Sequence, residues 1–255
     1  MARTFDGTDD NIDIGNLGTF GSADLTNPFT IAVWLNTTFT TAIRAICGVI
    51  QGVGSNTLLQ IQVNANSVES LDADKMRFTL RADGGNATSA AFTSDATFTD
   101  GVWHSLVVTF DGDNNVIVAY LDGTSIGLTT AVATTPNAFT DFASGFLVGA
   151  RENRGTNDAF FNGSLAEFAI WTRALSAAEA GILADGFSPL FIPNSLRNYL
   201  PIIGQASPEP ELKRGSNGTV TGTTNLAHPR IIYPYGDPTG ITRPSLEQIK
   251  RINDR

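Results

Sequence analysis

The chain has 255 residues and a net charge of −9, with 42% hydrophobic and 9% aromatic residues. That length buries a real core, as one large all-β domain or two ordinary ones. The acidic balance argues against nucleic acid as a partner, and no run of eighteen apolar residues offers a spanning helix, so no membrane insertion is expected.

The N-terminus, MARTFDG, lacks a basic stretch followed by an apolar one, so no signal peptide is expected and synthesis in a cytoplasm is. After Asn27 and Pro28, residues 29–35 (FTIAVWL) alternate with period two, the pattern of a strand. Cys47, the single cysteine, excludes an intrachain disulfide; it lies in the apolar run 45–50 with no base or cation beside it, which predicts a small buried residue and not a reactive thiol. Residues 58–63 (LLQIQV) alternate with Gln60 and Gln62, so one face is expected to be wet. Residues 75–81, 103–110, 116–121, 146–149 and 165–171 complete the strand pattern. Asp-Gly pairs at 83–84, 100–101, 111–112 and 122–123 tolerate the positive φ angles that hairpin turns demand. Turn signals spaced by roughly ten residues are those of a sandwich or barrel. Ser176 and Glu179 have capping-box spacing, which predicts a helix carried by Ala180, Ile182, Leu183 and Ala184 and stopped at Gly186.

The composition then changes. Residues 1–185 hold 8 Lys+Arg against 20 Asp+Glu, a charge of −12; residues 186–255 hold 8 against 5, a charge of +3, and nine of the eleven prolines. The chain therefore divides into a β domain over 1–185 and a Pro-rich, mostly irregular arm over 186–255 with a short terminal helix from Ser245. Residues 187–243 show no sustained period, yet the segment carries Phe187, Phe191, Tyr199, Ile202, Ile203, Ile231, Tyr233 and Tyr235, more apolar surface than a disordered linker holds. An ordered, extended arm is predicted. Its charge fits contact with its own sandwich, a neighbouring copy or an acidic shell.

Several segments carry a family likeness. FDGTDDNI at 5–12, FTIAVW at 29–34, GVWHSLVVTFDG at 101–112, YLDG at 120–123, FNGSLAEFAIW at 161–171 and RALS at 173–176 resemble, in order, the strands of laminin-G-like domains. The likeness covers roughly residues 2–184. It implies an all-β fold, an antiparallel two-sheet jelly-roll sandwich of concanavalin A type. The tail segments YLPIIG at 199–204, SPE at 207–209, NGTVTGT at 217–223 and HPR at 228–230 look like the C-terminal extension of laminin-G-like proteins encoded by bacteriophages. That resemblance implies a virion component, a capsid decoration or tail-associated protein. Its arm would join other virion proteins and copies of itself, with a trimer as the expected homo-oligomer. The alternative it leaves open is a carbohydrate-binding adhesion module for cell-surface glycans.

The candidate chemistry follows from the same likeness. Jelly-roll glucanases use a run of alternating carboxylates on one strand; this chain has seven glutamates and no such run, the nearest being Glu69, Asp72 and Asp74 in the wrong order, so no catalysis is expected. His104 and His228 have no nucleophile motif beside them, and no histidine–cysteine cluster points to zinc. Relatives hold a Ca²⁺ between first and last strands through hard oxygen ligands. By that resemblance Asp6, the Gly7 carbonyl, Asp9 or Asp10, and Glu167 are candidates, although Ala166 stands where the family usually has an acidic residue; a solvated loop fits Asp9 and Asp10 equally. Sugar binding asks for an exposed aromatic platform beside polar groups. Trp34, Trp103 and Trp171 sit within apolar strands and are expected in the core, which leaves the polar loop with Arg151, Asn153, Arg154, Asn157 and Asp158 as the ligand candidate, or as a charged hairpin tip.

Overall fold

The structure is a computed structural model that describes residues 2–17, 28–50, 58–65, 70–81, 90–94, 97–111, 116–132, 145–204, 207–215 and 217–234. In chain order the elements are β1 (Ala2–Asp6), β2 (Asn11–Asp13), β3 (Phe29–Asn36), β4 (Arg44–Ile50), β5 (Leu58–Ala65), β6 (Leu71–Arg81), β7 (Ala90–Ser94) and β8 (His104–Asp111). Next come β9 (Val116–Leu121), β10 (Thr124–Ser125), β11 (Leu128–Val132), β12 (Leu147–Val148), β13 (Arg151–Asn153), β14 (Thr156–Asp158) and β15 (Asn162–Trp171). Helix α1 (Ala177–Ala184), a 3-10 turn (Pro189–Phe191), β16 (Leu196–Leu200), β17 (Thr219–Thr221) and β18 (Thr224–Leu226) follow.

Two sheets form. The first runs β10-β9-β8-β3-β15-β1-β18, with β16 also on β15; the second runs β11-β7-β6-β5-β4-β12-β2-β17, with β13 on β4 and β14 on β13. Nearly all pairings are antiparallel, and β13 on β4 is parallel. The inward residues of both sheets, among them Phe5, Ile31, Val33, Ile61, Phe78, Val108 and Phe168, make one core. Cys47 is fully buried in it, and burial pushes its thiol pKa up, so it stays a neutral packing group. A smaller apolar cluster lies on the other side of the first sheet, where α1 packs: Ala32, Val107, Ala169, Trp171, Leu183, Ile192 and Tyr199.

The predicted helix forms with its full capping box: Ser176 accepts from the Glu179 backbone and Glu179 reaches back to Ser176. The Asp-Gly turn at 122–123 forms with φ of 51° and 75°, both positive as a tight hairpin requires. The pair at 83–84 lies outside the described residues, as do Tyr235 and the expected helix from Ser245.

Two expectations change. Gln60, Gln62 and Asn64 point away from the core of β5 but are buried, not wet. Gln60 donates to Gln62 Oε1 at 2.9 Å, Arg77 donates to the same oxygen at 3.3 Å, and Arg151 donates to Gln60 Oε1 at 3.0 Å. Polar groups that satisfy one another can leave water. The second concerns the irregularity expected of the arm: as far as residue 234 it contributes strands and takes the first of its three expected contacts, its own sandwich, with β16 paired to β15, β17 to β2 and β18 to β1.

Candidate functional site

Asp6 ends β1, and Asp9 and Asp10 lie in the turn before β2. Their carboxylates bring ligand atoms within 4.8 Å of one another. Asp6 and Asp9 are exposed and Asp10 is buried. Asp10 already works: its oxygens accept from the Asp6 backbone at 2.9 Å and from the Thr223 backbone at 2.7 Å. Thr223 belongs to the β17–β18 turn, where Gly222 has φ of 63°; a Cβ there would lie 1.6 Å from Asp10 Oδ1. Only glycine lets the turn sit on that carboxylate. Asp6, Asp9 and Asp10 are hard-oxygen donors of the kind that could hold a cation, whose chemistry there would be structural. Glu167 is not part of the set. Asp6 stands opposite Asn162 in the β1–β15 register, and Glu167 lies five residues on, roughly 16 Å along a strand.

The polar hairpin is β13–β14, and its side chains serve each other. Arg151 makes a two-pronged contact with Asp158 at 2.7 and 3.0 Å, and Asn153 donates to Asp158 at 2.7 Å. Burial raises the Asp158 pKa, but the bonds from Arg151 and Asn153 outweigh it and leave the group below its usual value. Glu152 accepts from the Gly155 backbone inside the turn. Arg154 and Asn157 are exposed on the tip. This is the charged hairpin tip, with its fork and carboxylate already paired.

Glu167 has a different role. Between Ala166 and Ala169 the register of β15 on β3 shifts by a residue, and Glu167 takes φ of 55°. Such a bulge re-aims a side chain. It sends the carboxylate into the smaller cluster, where it is 2% exposed. Tyr199 donates to Oε2 at 2.7 Å, Tyr233 donates to Oε1 at 2.8 Å, and His228 Nε2 lies 3.3 Å from Oε1. Burial lowers the His228 pKa, but the bond to Glu167, the charge of that carboxylate and the Pro201 and Pro229 carbonyls together outweigh this, and the net shift is upward. Burial raises the Tyr199 pKa well above its usual value, and the Glu167 charge adds to that. All three partners come from the C-terminal segment.

The apolar arm residues are mostly used within the chain. Tyr199, Ile202, Ile203 and Ile231 are buried, Phe187 and Tyr233 half-buried, and Phe191 exposed. Two further carboxylates fasten the segment. Glu209 is fully buried, and its Oε1 accepts from Arg3 Nε at 2.5 Å and from the Gly204 backbone at 2.7 Å. Glu211 accepts from the backbones of Tyr199 at 2.7 Å, Lys213 at 3.1 Å, Gly215 at 2.8 Å and Arg214.

The tryptophans divide. Trp171 is fully buried and donates to Ile192 O at 2.8 Å; Trp34 and Trp103 are half-buried. This corrects the expectation of three core tryptophans. Ile31, Val33 and Leu35 face the main core, so Trp34 faces outward. It walls a small depression, with room for about one water, lined also by Ala32, Val33, Ser105, Glu167, Leu183, Phe187 and Pro189. His104 is the structural histidine expected: its ring nitrogens meet Asp122 at 2.7 Å and Asp100 at 3.0 Å. The depression went unread because both parities of 29–35 are hydrophobic. The signal that existed was Glu167, a charge within an otherwise apolar strand, which marks a bulge.

The comparisons agree on the architecture. Residues 6–181 match the family described as the concanavalin A-like lectin/glucanases superfamily. A structure from Bacteroides ovatus, whose name gives carbohydrate binding as its proposed role, superposes with a TM-score of 0.65 at 17% identity, covering 91% of this chain and 61% of that one. The heptameric pentraxin of Limulus polyphemus superposes with 0.52 at 12% identity, over 72% and 81% of the two chains. Domain 4 of an extracellular arabinanase from Geobacillus stearothermophilus, solved with arabinotriose, superposes with 0.50 at 17% identity, over 72% and 76%. No curated protein matches by sequence. This chain spans about three fifths of the Bacteroides protein's length, 61%. With more than half of its residues matched on two facing antiparallel sheets, the chain belongs to the concanavalin A-like lectin/glucanase superfamily.

Proposed function

We propose that the protein is a non-catalytic glycan-binding module. The observation that carries this reading is Trp34: an outward indole on the first sheet beside a carboxylate, Glu167, and a hydroxyl residue, Ser105. An aromatic face packs against the C–H face of a sugar, and flanking polar groups take its hydroxyls. The Bacteroides protein and the arabinanase domain support it as fold-mates whose names carry carbohydrate. The fold offers no retaining-enzyme pair here: among the described lining residues of the depression, Glu167 is the one carboxylate.

Assembly into a virion rests on the resemblance of the C-terminal extension alone. Of its eight apolar residues, Phe191 is the one described as exposed. That favours the glycan reading over the assembly reading.

The test is a glycan array probed with the full chain, with Trp34→Ala, and with and without a calcium chelator. Saturable binding to one glycan class, lost in Trp34→Ala and unaffected by chelation, is expected. Chelation should be harmless because Asp6 pairs with Asn162 and Trp34 with Ala166, four residues on and roughly 13 Å along β15. Glycan binding unchanged in Trp34→Ala, or none to any class, overturns the reading.

A further inference from the structure

Residues 228–233 run past the smaller apolar cluster, against which Tyr233 packs. Ile232 donates to the Gly186 carbonyl at 2.7 Å and accepts from the Ser188 N–H at 2.9 Å. Ile231 is buried, and Tyr233 donates to Glu167 at 2.8 Å. The last fastening is the His228 ring. Its Nδ1 lies 2.9 Å from the Pro229 carbonyl oxygen, and its Nε2 lies 3.1 Å from that of Pro201 and 3.3 Å from Glu167 Oε1. Carbonyl and carboxylate oxygens only accept, so each ring nitrogen needs a proton. A neutral imidazole has one N–H, and its other nitrogen would face an oxygen with a lone pair. The imidazolium has two and satisfies both sides. Its charge also meets Glu167, which is 2% exposed and whose partners Tyr199 and Tyr233 are neutral donors. A buried carboxylate that loses its cation is costly. Arg230, the other charged residue of this segment, is exposed. The upward shift of the His228 pKa agrees with this geometry.

We propose that residues 228–233 are a pH-sensitive strap, latched to Glu167 and the Pro201 carbonyl by the His228 imidazolium and released when that ring loses its proton. A histidine whose folded pKa is raised holds its segment fully below the unfolded value of 6.5, and the hold fades as pH rises through the folded value. With the ring neutral, Tyr233 is the strap's remaining bond to Glu167, and Ile232 peels away from Gly186 and Ser188. Release uncovers Phe187, which bridges to Ile232 and also walls the depression beside Trp34. The sandwich outlasts the strap, because β16, β17 and β18 pair with it through other residues. The strap works without any glycan, so its failure and that of the glycan reading are separate.

The test is amide hydrogen exchange of the full chain, read by NMR from pH 6 to pH 9, with each rate divided by that of an unstructured peptide at the same pH. Protection of the Ile232 and Ser188 amides is expected to fall about tenfold for each unit by which the folded pKa of His228 exceeds its unfolded one. The midpoint should match the titration of the His228 ring resonances. At pH 9 both amides should exchange faster than those of β4 and β5, which open only with the whole sandwich. His228→Gln, which keeps a neutral donor, should give low protection that is level across the range. Tyr233→Phe should lower protection at every pH and keep the fall, because His228 remains. Wild-type protection of Ile232 and Ser188 that does not change with pH overturns the latch, and so does the same fall in His228→Gln. A fall lost in Tyr233→Phe assigns the titration elsewhere and also overturns it. Ile232 as protected at pH 9 as β4 and β5 overturns the strap, since it would then open only with the whole molecule.

Discussion

The strands up to β15 and the segment from β16 to Tyr233 are held by different forces, though they share two sheets. The first region is ordered by apolar alternation: Phe78, Phe110, Phe146 and Phe168 are all fully or almost fully buried in one core. The second adds apolar anchors of its own, Leu200 and Ile202 among them, and fixes them with carboxylates. Glu209 grips Arg3 of β1, Glu211 gathers four backbone N–H groups, and Glu167 receives Tyr199 and Tyr233. Burial of apolar area tolerates small shifts, whereas a buried carboxylate fixes its partners by direction and distance. A jelly roll can thus bind a proline-rich extension that has no period of its own, provided the extension presents acids and donors at the right places.

The sharpest way to break the comparison is to remove one anchor from each region. Phe168→Ala should cost about 3–5 kcal/mol by leaving a cavity. Glu209→Ala should cost about 3–5 kcal/mol by taking the Glu209 carboxylate away from the buried Arg3 guanidinium. Urea denaturation followed by fluorescence measures both. If the two regions are one cooperative unit, both variants move a single transition. If the segment opens independently, Glu209→Ala gives an early transition of its own while the main one stays in place.

Glu211→Ala comes next. The Tyr199 N–H is buried and loses its acceptor, while those of Lys213, Arg214 and Gly215 lie on exposed residues and turn to water. One buried orphan donor costs about 1–3 kcal/mol. A loss above that range would mean that the whole turn collapses with its carboxylate.

The difference between the regions is also a difference in what a sequence displays. Residues 29–35 announced a strand, and β3 is one. Ser176 and Glu179 announced a helix start, because a capping box is local: three residues separate the partners. The partner of Glu209, by contrast, is 206 residues away. Nothing near either residue encodes that pairing. The outward turn of Trp34 was hidden for another reason. α1 and the C-terminal segment cover the outer side of the first sheet, so both faces of β3 are apolar and alternation cannot rank them. Asp6, Asp9 and Asp10 do meet, as three acids in five residues suggest, but the placement of Glu167 depended on a bulge that shifts register by one.

At the junction of the regions, Ser176→Ala tests a local device. Loss of the N-cap should cost about 1 kcal/mol by thermal melting. The Arg173 bond, with further help from Ser176, holds the Glu179 pKa at about 2. A carboxyl held that low contributes stability above its ordinary 4.5, lost only as pH falls through about 2. The Ser176→Ala deficit should therefore be level across neutral pH. A deficit that grew between pH 6 and 8 would assign the cap a different partner.

The smallest effect separates the two histidines, one in each region. The pKa of His228 is raised by Glu167 against the pull of burial, and that of His104 by Asp122 and Asp100 against the same pull. A raised histidine contributes stability that is complete below its unfolded value of 6.5 and fades as pH rises through the folded value. The melting temperature should thus decline as pH rises above about 6.5. His228→Gln should flatten part of that decline, and His104→Gln the rest. The ring nitrogens of His228 meet the Glu167 carboxylate and the Pro201 and Pro229 carbonyl oxygens. The slope removed by His228→Gln therefore measures how far the protonated imidazole, through Glu167 and these carbonyls, holds the C-terminal segment. Were that slope unchanged and the whole decline lost in His104→Gln, the imidazole would add nothing to the hold on the segment, and Glu167 would act there through Tyr199 and Tyr233 without drawing on His228.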